Sequence, residues 1–94
     1  MEKRYFQITF HFSGPIVAKV LEPTFYSLAD DWIRYSSNCW IAYSAKDPAD
    51  WFNALKPLLG PNDQMLILEL KKNQGVLQGW LPKWIWDWLN KRRN

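Results

Sequence analysis

An uninterrupted alternation from Arg4 to Phe12 constrains this chain more than any other feature. Phe6, Ile8, Phe10 and Phe12 fall on one side of it, and Tyr5, Gln7, Thr9 and His11 on the other. Successive side chains of a strand point to opposite faces, whereas a helix would scatter these two sets around its axis. The segment is therefore predicted to be a strand with one apolar face that needs cover. Ser13-Gly14-Pro15 breaks it.

The chain has 94 residues, which suits one domain over residues 1–94. A chain of this size buries about 60–65% of the surface its unfolded form exposes. With 48% hydrophobic and 22% charged residues it is not disordered. No stretch reaches the ~18–20 apolar residues that span a bilayer, so no membrane association is expected. The alternating N-terminal run lacks the solid apolar block of a signal peptide. A single cysteine excludes an intrachain disulfide and a thiolate-rich metal site. The expectation is a cytoplasmic protein.

Further elements follow from periodicity. Val17, Val20, Leu21, Phe25 and Leu28 lie at helical spacing, but Pro23 requires that this helix be kinked there or begin there. A strand over Ile16–Leu21 competes with it. Trp32–Tyr35 and Cys39–Ser44 read as short strands joined through Ser36-Ser37-Asn38. Asp47-Pro48-Ala49-Asp50 has the cap, the first-turn proline and the reciprocal acid of a helix start. Trp51, Phe52, Leu55, Leu58 and Leu59 supply its apolar stripe, Pro57 distorts its last turn, and Gly60-Pro61 ends it. Met65 to Leu70 is a compact apolar run between Asn62-Asp63 and Asn73-Gln74-Gly75, read as a central strand with Glu69 on its less buried face. A last helix follows Pro82, with Leu81, Trp84, Ile85, Trp88 and Leu89 on one stripe and Trp86 off it.

The resulting order is the βαββαβ, split βαβ arrangement of ferredoxin-like α+β domains, with an extra C-terminal helix. Helices would cover one face of an antiparallel sheet. The face bearing Tyr5, Gln7, Thr9 and His11 would meet water, the terminal helix or a second subunit.

Candidate chemistry is sparse. His11, the single histidine, lies near the end of the first strand with Ser13 two residues on, so these two are the candidate catalytic residues, as base and hydroxyl. One histidine and one cysteine cannot supply the usual nitrogen and sulfur set for a metal, so neither a metal nor another cofactor is expected. Asp30-Asp31 could assist a hard cation, but a solvated turn explains the pair. Asp47 and Asp50 are accounted for as capping residues, Asp87 as a polar helical position and Cys39 as a small buried hydrophobe. The glycines have no phosphate-loop spacing.

Twelve basic against nine acidic residues give a net charge of +3. Lys3 and Arg4, Lys71 and Lys72, and Lys91, Arg92 and Arg93 form short basic clusters. They read as solvated ends and as cations favoured at a helix C-terminus. If the protein binds nucleic acid, Lys91, Arg92 and Arg93 are its candidate contacts. The seven tryptophans are a surplus for so short a chain. Trp51, Trp84 and Trp88 fit core positions. Tyr5, Trp32, Trp40 and Trp86 are the candidate interface residues of a homodimer, with a cap over the open sheet face as the alternative.

The run Trp32-Ile33-Arg34-Tyr35-Ser36-Ser37-Asn38-Cys39-Trp40-Ile41 resembles that of small prokaryotic proteins labelled SinR-like. These are remote relatives of the CRISPR-associated small ferredoxin-like nucleases and of VapD-type toxins. Leu58-Leu59 with Pro61-Asn62-Asp63, then Gly79-Trp80-Leu81-Pro82-Lys83 and Trp86-Asp87-Trp88-Leu89, carry the same resemblance. It implies a ferredoxin-like homodimer completed by strand exchange or edge pairing. In the related nucleases an aspartate ends the first strand and helps bind Mg²⁺ between subunits, whereas His11 stands at the matching position here. The function expected is that of a non-catalytic homodimeric binding protein for another protein or nucleic acid, in a prokaryotic mobile-element or defence setting. The alternatives are a metal-dependent RNA or DNA endonuclease with a degenerate site and a basic nucleic-acid-binding protein.

Overall fold

A computed structural model describes residues 2–14, 18–70 and 79–93. Ile16, Val17, the Lys71-Lys72 pair and Asn73-Gln74-Gly75, all used in the sequence reading, lie outside the described residues. The elements are β1 (Arg4–His11), α1 (Glu22–Leu28), β2 (Asp31–Ser36), β3 (Cys39–Ser44), α2 (Pro48–Leu55), β4 (Gln64–Leu70) and α3 (Lys83–Leu89). A 3-10 turn at Ala18–Val20 leads into α1, with Pro23 in its first turn. Of the two options at Pro23, the helix starts there, because a proline needs no N–H in the first turn. Asp50 reaches back to accept the Asp47 N–H at 3.0 Å, as the capping pattern predicts. Pro57 falls in a 3-10 turn, Lys56–Leu58, that closes α2.

The four strands form one antiparallel sheet in the order β2-β3-β1-β4. β1 pairs with β3 on one side, Ile8 opposite Trp40, and with β4 on the other, Ile8 opposite Ile67. Among the described residues β4 is thus an edge strand and not the central strand its apolar run suggested. Its exposed leucines look the same in sequence as buried ones.

The sheet is covered on both faces, to different extents. On the first, Phe6, Ile8 and Phe10 of β1 and Trp40 and Ala42 of β3 pack with Leu21, Phe25, Trp51 and Leu55 from the α1 and α2 region. Phe25 stacks on Trp40 at 5.3 Å between ring centroids, and Phe10 meets the same indole edge-on at 5.3 Å. On the second face, Ile85 and Leu89 of α3 close over Ile41, with Tyr5, Ile33, Tyr35, Leu70, Trp86 and Trp88 around them. The alternative of a helical cap over the open face is what the fold adopts.

Some side chains lie elsewhere than expected. Glu69 shares the first face with Met65 and Ile67 and is more buried than its neighbour Leu68, because Arg4 Nη1 donates to it at 2.8 Å. Ile85 and Leu89 set the buried arc of α3, which leaves Trp84 52% exposed while Trp86 is half-buried. Each helical residue turns the side chain by about 100°, so Trp84 stands at the flank of that arc. Trp86 lies close above Gly79, where an added Cβ would sit 3.9 Å from its ring.

Candidate functional site

Three places could carry function, and each is built by a different pair of elements. The first is the corner where β1 ends. His11 is exposed there, opposite Gln64 of β4. It lines an open groove with Thr9, Phe10, Asn38, Gln64, Met65 and Leu66. Asn38 Nδ2 donates to the Phe10 carbonyl at 3.0 Å, which ties the β2–β3 turn to the end of β1.

Ser13 lies in the same corner and turns to Asp63, a residue that the sequence reading used only as a turn marker. Asp63 Oδ1 accepts the Ser13 N–H at 2.8 Å and its hydroxyl at 3.0 Å, and Oδ2 accepts the Gly60 N–H at 2.7 Å. These backbone hydrogen bonds, from Ser13 and then Gly60, hold the Asp63 carboxyl below its ordinary range. The Gly60-Pro61-Asn62-Asp63 run was the available signal, since aspartate side chains bond backbone in such turns.

The corner brings His11 and Ser13 together but does not couple them. Ser13 donates its hydroxyl hydrogen bond to Asp63, whereas a nucleophilic serine would direct it to the base. Both Asp63 oxygens are engaged by loop donors. No group of three or more His, Cys, Asp and Glu side chains placed to hold a metal ion occurs among the described residues. Within one chain the described residues of this corner therefore do not themselves supply the several carboxylate oxygens that Mg²⁺ takes along with water.

The second place is the chain end, where Arg93 is spoken for. Its Nη1 donates to Asp31 Oδ2 at 2.8 Å, its Nε to the Tyr5 hydroxyl at 2.7 Å and its Nη2 to the Trp88 carbonyl at 3.2 Å. The guanidinium also lies 4.5 Å from the centroid of a Trp88 ring and 4.9 Å from that of Tyr43. Only 10% of its side chain is exposed. Lys91 stands 3.9 Å from the same Asp31 carboxylate, and Arg92 is exposed. Arg93, expected as a nucleic-acid contact, is thus a half-buried strut that secures α3, because an aromatic box and a carboxylate use its charge.

The expected interface residues divide in the same way. Trp40 is fully buried in the core and has no surface to offer, because both Phe10 and Phe25 pack on it. Trp32 packs half-buried against that core, with Tyr26 edge-on at 5.2 Å. Tyr5, on the sheet, and Trp86, on α3 itself, pack half-buried in the layer between the two. The tryptophans facing solvent are Trp80, fully exposed, and Trp84.

The third place is the outer margin of β4. Leu66 is 58% and Leu68 47% exposed, on the part of the second face that α3 leaves bare. Around the same strand, Phe52 of α2 is exposed beside Met65 and Ile67 and helps line a shallow open groove. This arrangement can bind apolar surface or an extended backbone. No family model matches the chain, and neither a curated protein nor a solved structure matches it.

Proposed function

We propose that this protein works by binding rather than catalysis, as a cytoplasmic homodimer of ferredoxin-like subunits of the SinR-like kind. The strand order β2-β3-β1-β4 is compatible with that fold. The observation that carries the reading is the bare apolar margin of β4, where Leu66 and Leu68 face solvent on an outermost strand. Such a margin is costly to leave in water and is favourable to cover. The Ser13–Asp63 pairing adds support, since it withdraws the hydroxyl from His11. The setting, a prokaryotic mobile element or defence system, rests on the resemblance alone.

Incubation with single- and double-stranded RNA and DNA across Mg²⁺ and Mn²⁺ tests the non-catalytic part. The reading expects no cleavage. Cleavage that disappears in His11→Ala would overturn it and restore the endonuclease alternative.

A further inference from the structure

A helix as short as α3 does not persist in water alone, so leaving the sheet and losing its helical form are one event. Two sets of contacts keep it docked. Ile85 and Leu89 are buried against Ile41 of β3. The polar ties converge on one atom of β2. Asp31 Oδ2 accepts from Arg93 Nη1 at 2.8 Å and from Trp88 Nε1 at 3.0 Å, with Lys91 Nζ 3.9 Å away. The other oxygen, Oδ1, accepts the Trp32 N–H at 2.9 Å within β2.

The opposite layer does not depend on these contacts. The core on the first face draws on β1, β3, and the α1 and α2 region, and no side chain of α3 enters it. Among the described residues the two apolar layers share no side chain. Strand pairing runs β2-β3-β1-β4 without the helix. A fold divided in this way opens in parts, each with its own free energy.

We infer that α3 and the Arg93 tail form one detachable cover over the second sheet face, and that Asp31 is its catch. Closure sets how much apolar surface the sheet offers. One row crosses all four strands, with Leu68 opposite Gln7, Gln7 opposite Ile41 and Ile41 opposite Ile33. With α3 docked, Ile41 is 5% exposed while Leu68 is 47% exposed. Opening bares Ile41 and Ile33, so an apolar margin confined to β4 becomes a face that reaches β2. On the binding reading above, α3 is the occupant of that face and competes with any other, which meets only the open fraction. The opening itself needs no partner and is tested apart from that reading.

Native-state hydrogen exchange of the full chain at low urea concentrations reads the opening directly. Amides bonded within α3, such as that of Asn90 to the Trp86 carbonyl at 2.9 Å, are the probes. Their protection is expected to be at least about tenfold lower than that of the β1 amides and nearly insensitive to urea, because little surface is exposed. Equal protection and equal urea slopes for the two sets would overturn the detachable cover. In Asp31→Asn the α3 amides are expected to exchange roughly tenfold faster than in the parent. Lys83→Ala, which removes the exposed Lys83–Asp87 pair inside α3, should change them by about twofold at most. Equal effects of the two substitutions would remove Asp31 as the catch. Leu89→Asp places a charge beneath the helix and holds the cover open. This variant is expected to keep its β1 amides protected and to bind anilinonaphthalene sulfonate several-fold more strongly than the parent. β1 amides that lose protection together with α3, or dye binding equal to the parent's, would contradict the proposal.

Discussion

Arg93 Nη1 stands 2.8 Å from Asp31 Oδ2, and this pair joins the end of the chain to the first residue of β2. Trp88 Nε1 donates to the same oxygen at 3.0 Å. α3 has seven residues, too few for a helix to persist in water without a surface to pack on. Its order therefore depends on Ile85, Leu89 and this cluster. Arg93→Gln is expected to lower unfolding free energy by about 1–2 kcal/mol, because a half-buried carboxylate loses the nearer of its two cations and keeps Lys91 at 3.9 Å. Asp31→Asn should cost a similar amount, and the double variant less than the sum of the two. Chemical denaturation of all four proteins measures this coupling.

The Asp63 clamp has a defined pH signature. Its carboxyl is held below the ordinary value of 3.8 by the Ser13 and Gly60 N–H groups. A depressed folded value means that the contribution is complete above 3.8 and is lost as pH falls through the lower folded value. Asp63→Asn is expected to lower the thermal midpoint at neutral pH and to flatten its decline between about pH 5 and pH 2. Calorimetry across that range checks both.

Tyr35 acts at the other end of the scale. Burial, and then its hydrogen bond to Cys39, push the phenol up from 10.0 to about 12. A raised folded value gives a contribution that is complete below pH 10.0 and is lost as pH rises to about 12. Tyr35→Phe is expected to remove the latest phenolate step from an alkaline absorbance titration. It should also remove part of the stability lost over that interval.

Trp40 tests the aromatic core. Neither its indole N–H nor that of Trp51 has a hydrogen-bond partner among the described residues. Trp40→Ala is expected to cost about 3–5 kcal/mol by leaving a cavity between Phe10 and Phe25. Trp40→Phe should cost less than about 2 kcal/mol, since it keeps ring contact and removes a buried donor without a partner. Urea unfolding of both variants decides the order.

Much of the architecture was legible in the residues. The Phe6, Ile8, Phe10 period marked β1 and its buried face, and Asp47-Pro48-Ala49-Asp50 marked the start of α2. These signals are local, so a short window contains them. Sheet position is not local: the run from Met65 to Leu70 reads alike in a centre or at an edge, and only pairing with β1 decides. Arg93 was legible as a cation but not as a strut, because its partners Tyr5 and Asp31 are 88 and 62 residues away. Ser13 was picked out with His11, while Asp63, which accepts its hydroxyl hydrogen bond, stands 50 residues further on.

The central claim is that two copies meet through the bare margin of β4. Sedimentation velocity over a concentration series, on the native chain and on Leu66→Lys, tests it most directly. A cation placed on that apolar margin should block pairing without disturbing the core, since Leu66 is 58% exposed. The account predicts a species of twice the 11.2 kDa chain mass for the native protein and a monomer for the variant. A native protein that stays at 11.2 kDa throughout, or a variant that dimerises as well as the parent, would contradict it.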